Sequence, residues 1–184
     1  MRIIYLEEKD KEMFAEVNKM GSKLSPIFGI TFPRIKFDKR LVPIAKVMTK
    51  VGKTFINEAK LKRVIKSIYK EDLPELVIYI NTTPFSSWNA EEKYLSLSYT
   101  RNDSVKFFST VCHEANHLMY DLTFGTEKYQ DTKIKETLTV LNNVYGVEDN
   151  GWRNFSEGRA KVLDFYKKEK DLEKTVEYAK NILS

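Results

Sequence analysis

Ser109 to Asp121 reads STVCHEANHLMYD and contains both histidines of the chain. His113, Glu114 and His117 form an H-E-x-x-H pattern. On a helix, residues four apart share one face about one turn apart, so two imidazoles at this spacing can hold one Zn²⁺. Glu114 between them is placed to act as general base on a metal-bound water. The stretch therefore predicts a helix, a zinc site on His113 and His117, and a catalytic role for Glu114.

A projection at about 100° per residue gathers Phe108, Val111, Ala115, Leu118 and Leu122 on one apolar arc. His113 and His117 fall opposite its centre, which predicts that they lie off the core stripe. Cys112, at the margin of the arc, reads as a small buried hydrophobe.

The segments upstream of the motif read as strands. Leu76–Ile80 (LVIYI) has the length and β-branching of a buried strand. The turn-rich run NTTPFSSWNAEE, Asn81 to Glu92, follows it. From Tyr94 to Arg101, Leu95, Leu97 and Tyr99 alternate with Ser96, Ser98 and Thr100, which predicts a half-buried strand at a sheet edge. Asn102-Asp103-Ser104 supplies a turn and a cap for the motif helix. Before residue 75 the chain reads as a strand (Arg2–Leu6), a helix (Lys9–Leu24), a strand around Gly29–Phe37, and helical sequence from Val42 to Tyr69 that Gly52 is expected to divide. After the motif, helices are expected over Thr132–Val144, from Trp152 toward Lys168, and over Leu172–Leu183. No repeat, low-complexity tract or long linker interrupts this order. The expectation is one α+β domain over residues 1–184, with a basic N-terminal strand and helical region (1–74) and a catalytic core (75–184).

Composition narrows the class. The chain has 184 residues, 42% apolar and 31% charged, as in ordinary globular proteins. No apolar run approaches the roughly 18 residues that span a bilayer, and the N-terminus does not read as a signal peptide. The single cysteine excludes an intramolecular disulfide, and a cytoplasmic setting is the natural expectation. The net charge of +5 is uneven, with 12 Lys/Arg against two acids between Arg34 and Lys70. That excess fits a solvated basic helix face. It also leaves open a nucleic-acid-associated protease as a second reading.

A catalytic zinc commonly has three protein ligands and an open position for water. With no third histidine, the remaining ligand must be a carboxylate. Glu157 is one candidate, opening a helix beside Gly158 and Ala160; it also stands three residues after Asn154, as in a capping box. Glu136 is another, 19 residues beyond His117, and Asp121, one turn past His117, reads better as an orienting carboxylate. Residue spacing alone does not choose between Glu157 and Glu136.

The combination Val111-Cys112-His113-Glu114-Ala115-Asn116-His117 with Trp152-Arg153-Asn154-Phe155-Ser156-Glu157-Gly158-Arg159-Ala160 resembles the gluzincin metallopeptidases. It looks closest to the peptidase-MA-like branch, whose second motif reads W-x-x-E-G-x-A; here one further residue separates Trp152 from Glu157. The resemblance implies a zincin-like fold with a small mixed sheet and an edge strand packed on the H-E-x-x-H helix. It implies zinc ligated by His113, His117 and Glu157, and hydrolysis of peptide bonds in a peptide or protein substrate. A thermolysin-like layout would instead place the ligand about 20 residues on, at Glu136. The edge strand would then pair with substrate, and Tyr99, Tyr166 or Arg153 would stabilise the oxyanion, with Asp164 behind Glu157. The competing expectation is a zinc-binding or partner-binding domain of the same fold without catalysis.

Overall fold

The computed structural model describes residues 1–29, 31–126, 130–149, 151 and 155–183. Strands β1 (Arg2–Ile4), β2 (Val77–Asn81), β3 (Ser87–Asn89) and β4 (Tyr94–Ser98) form one mixed sheet in the order β1-β2-β4-β3. β1, β2 and β4 run parallel, and β3 lies antiparallel on β4 as the outer strand. The fold is α+β, with helices α1 (Glu7–Phe28), α2 (Val42–Phe55), α3 (Glu58–Tyr69), α4 (Ser104–Phe124), α5 (Thr132–Leu138), α6 (Ser156–Glu169) and α7 (Leu172–Leu183). None of the described helices is long and apolar enough to cross a membrane.

The strand register sorts the side chains by face. Ile3, Ile78, Leu95 and Trp88 align across the sheet, and Ile80 pairs with Leu97 one step further on. All six are buried in the core with Val111, Ala115 and Leu118 of α4. On the other face Tyr79 and Tyr94 meet edge to face, and Lys9 of α1 stands over the Tyr94 ring. Asp10 of α1, almost fully buried, accepts hydrogen bonds from the Thr82 backbone N–H and hydroxyl at 2.8 Å each. A buried carboxylate with several donors anchors α1 to the end of β2.

Several expectations are corrected. β4 is internal rather than an edge, and both of its faces are buried. Its serine face can be buried because nearby groups satisfy the hydroxyls: Asn81 Nδ2 donates to Ser96 Oγ at 2.8 Å, and Ser98 Oγ donates to the Thr83 carbonyl at 2.7 Å. Around Gly29–Phe37 no strand forms among the described residues. Asn18 instead pins this segment to α1, donating to the Ile35 carbonyl at 2.7 Å and accepting the Ile35 N–H at 2.9 Å. α1 runs four residues further than expected, through Pro26, and stops where Gly29 adopts φ 64°.

Gly52 does not divide the basic helical region. The break falls at Ile56-Asn57, where Asn57 caps α3 by accepting the Lys60 N–H. Gly52 lies inside α2 because α4 packs against it: a Cβ there would stand 2.6 Å from the ring of Phe107, itself fully buried. Gly52→Ala is expected to overpack this contact and cost about 1–3 kcal/mol. Urea unfolding should show a lower midpoint at unchanged slope; an unaltered midpoint would mean that α2 and α4 are not in this contact.

Candidate metal centre

α4 begins as its sequence requires, with Asp103 accepting the Lys106 N–H at 2.8 Å, and ends where Gly125 takes φ 65°. Between these caps the helix is buried almost all round. From Val111 to Asp121 every residue but His113 is buried, whereas Leu122 is 40% exposed. The histidine face is therefore covered too, and not simply opposite the core. Cys112 is fully buried as expected, and burial pushes its thiol up to about 12.

The two imidazoles converge. His113 Nε2 and His117 Nε2 lie 3.0 Å apart, and the Glu136 carboxylate oxygens lie 3.4 Å from each of them. His113, His117 and Glu136 each offer a ligand atom, all within 4.8 Å of one another. Two nitrogens on one tetrahedral zinc at about 2.0–2.1 Å would stand roughly 3.3 Å apart, close to the separation observed. His117 Nδ1 and Glu136 Oε2 are buried without a hydrogen-bond partner. Two imidazoles and a carboxylate form a borderline-soft N₂O set, so these residues fit zinc.

Glu157, the expected third ligand, is not in this cluster. It is exposed and bonded to Lys161 at 2.7 Å on the outside of α6, and Asp164 on the same helix is exposed as well. The close approach made by Gly158 is to Leu183 of α7 and Thr137 of α5, not to α4. α5 instead carries Glu136 inward to the two histidines. The side chain that α6 sends to the site is Arg159, two residues on and roughly on the opposite face of the helix from Glu157.

Arg159 donates to Asp149 Oδ1 at 2.9 Å and to the Asp149 carbonyl at 2.6 Å, and Asp149 Oδ2 lies 2.9 Å from His113 Nδ1. A carboxylate on the far nitrogen of a ligating imidazole fixes its tautomer and orientation. Burial opposes the charge on His113, but Asp149 and Glu136 outweigh it and raise its pKa well above the ordinary histidine value. Burial likewise opposes ionisation of Glu136 and Asp149, yet the histidines, and for Asp149 also Arg159, hold both carboxyls below their usual range.

On the other side, the Trp88 ring lies 4.4 Å from that of His117, and its indole N–H donates to Asp121 at 2.6 Å. Asp121 also accepts from Thr126 and is paired with buried Lys135. It thus supports Trp88 against His117 and does not reach the metal position.

The cluster opens into a cleft of about 510 Å³. Glu114 lines it beside His113 and His117, and so do Ser86, Ser87 and Trp88 of the β3 segment. Val17, Met20, Leu24 and Phe28 of α1, with Phe32 and Phe85, form an apolar wall. Tyr99 and Tyr166 are not among the lining residues; Tyr166 is buried and hydrogen-bonded to Tyr145. Trp152, Arg153 and Asn154 lie outside the described residues. The sequence gives no pattern that marks Asp149 or Trp88, and Arg159 stands in it only as a neighbour of Glu157. Comparisons with protein-family models, curated proteins and solved structures find no match to this chain.

Two outcomes test the assignment. Zinc content should be lost in Glu136→Ala and retained in Glu157→Ala, while Asp149→Ala should weaken zinc binding by about 10–100-fold in a chelator competition. A zinc ion bound here would also have to displace the proton of His113, whose folded pKa is raised. Apparent zinc affinity should therefore keep rising with pH above the ordinary histidine value of about 6.5, with proton release measurable by calorimetry in two buffers.

Proposed function

We propose that the chain is a zinc-dependent peptidase with a zincin-like fold and a gluzincin-type ligand set of His113, His117 and Glu136. The observation that carries the reading is the convergence of these three side chains at a cleft that Glu114 also lines. The 19-residue interval from His117 to Glu136 is that of the thermolysin-like layout. The outer position of β3, antiparallel to β4 and against α4, supports the zincin-like assignment.

A zinc ion held by these residues would acidify a bound water and polarise a substrate carbonyl. Glu114 takes the proton from the attacking water and delivers it to the departing amine. Asp149 keeps His113 oriented through Nδ1, and Trp88 packs against His117, so both imidazoles are held in place. The substrate-pairing role expected of β4 passes to β3, the exposed edge beside the cleft, where an extended peptide can add by backbone hydrogen bonds.

Glu114→Gln separates this reading from a zinc-binding domain without catalysis. The variant should keep stoichiometric zinc and lose hydrolysis of a quenched-fluorescent peptide library by about 100-fold or more. Equal turnover in both proteins, or no turnover by the zinc-loaded wild type, would defeat the proposal.

A further inference from the structure

Near the start of α4 the cleft is lined by a cation with no counterion among the described residues. Arg101, just before α4, lines the cleft, and its Nε is buried without a hydrogen-bond partner. Among the described residues no carboxylate lies within ion-pairing distance of its guanidinium. Lys106, which lines the same end, is paired with Asp103 at 3.1 Å. Two acids, Glu16 and Glu148, also line the cleft, and both already have partners. A partly buried guanidinium with unused donors is matched by a planar carboxylate, which accepts two parallel N–H bonds.

We propose that Arg101 forms a carboxylate-binding subsite, so that the favoured peptides carry an anionic group at this end of the cleft. The inference rests on the peptidase reading of the neighbouring metal centre. Its position sets the register. Lys106, Ser109, Thr110 and His113 line the cleft along one side of α4, and the seven-residue step from Lys106 to His113 covers roughly 10 Å. An extended peptide advances about 3.3–3.6 Å per residue, so a carboxylate at the Lys106 end of the cleft lies about three residues from the bond at the metal. It comes from an Asp or Glu side chain or from the peptide's own C-terminus. Phe28, Phe32 and Phe85 line the same cleft.

The test uses zinc-loaded Glu114→Gln protein, in which peptides should bind without being cut, and labelled Ala-based hexapeptides containing one Phe. One arm compares Asp with Asn two or three residues to either side of the Phe; the other compares a free C-terminal carboxylate with the amide. Fluorescence anisotropy should show tighter binding of the carboxylate form in at least one arm, by about tenfold or more. That arm identifies the source of the carboxylate. Adding Arg101→Ala should abolish the preference while neutral peptides bind as before, and Arg101→Lys should restore part of it. Equal binding of acidic and neutral peptides, a preference that survives Arg101→Ala, or no peptide binding at all would overturn the subsite. Should Arg101→Ala not fold by circular dichroism, Arg101→Gln takes its place. Hydrolysis of neutral peptides by wild-type protein, lost in Glu114→Gln, would sustain the peptidase reading even where the subsite fails.

Discussion

The structure depends on burying two imidazoles side by side on α4 and compensating their polarity. His117 is almost fully buried and His113 nearly so, and their Nε2 atoms face one another at 3.0 Å. Such a pair is costly in a protein interior unless carboxylates or a metal ion meet it. Glu136 meets both rings from one side, and Asp149 meets the far nitrogen of His113. Much of the C-terminal third is arranged to deliver these two acids. α5 presents Glu136, the segment after Gly146 presents Asp149, and α6 supplies Arg159 to hold Asp149 in place.

Arg159 also donates to the Glu136 carbonyl and the Thr139 hydroxyl, at 2.5 Å each. One buried guanidinium thereby ties together the chain segments carrying Glu136 and Asp149. The opposite flank has a comparable arrangement. Asp121 accepts from Trp88 and Thr126 and pairs with Lys135, so that the indole is fixed against His117. The His113, His117 and Glu136 cluster is therefore flanked by buried polar networks and lines the cleft. Networks of this kind, with their members satisfied, hold side chains in one arrangement. That constraint suits a site whose ligands must be preorganised.

The corrected elements share a cause. A strand of alternating Leu and Ser looks half-solvated, but Ser96 and Ser98 are short enough to be covered once Asn81 and Thr83 take up their hydroxyls. Gly52 looks like a break, yet its lack of a Cβ admits the Phe107 ring of α4. The Glu157-Gly158-Arg159 segment looks like a ligand motif, and Gly158 does permit close packing, but toward α7 and α5. In each case the residue type fits its surroundings only once a tertiary partner is present. The partner that explains it lies far away in the chain.

What the sequence determined by itself was local. The Asp103 cap, the one-turn spacing of His113 and His117 and the placement of Glu114 between them depend only on helix geometry, and the structure reproduces them. The strands at Leu76–Ile80 and Tyr94–Arg101 were likewise legible from β-branching and alternation, although their sheet order was not. Which carboxylate stands beside the histidines was decided only by tertiary structure. Intervals of 19 and 40 residues from His117 are both compatible with a helix returning to the site, and neither says which face of that helix points inward. Packing of α6 on α5 and α7 turned Glu157 to solvent and Arg159 to the interior, and left Glu136 facing the histidines.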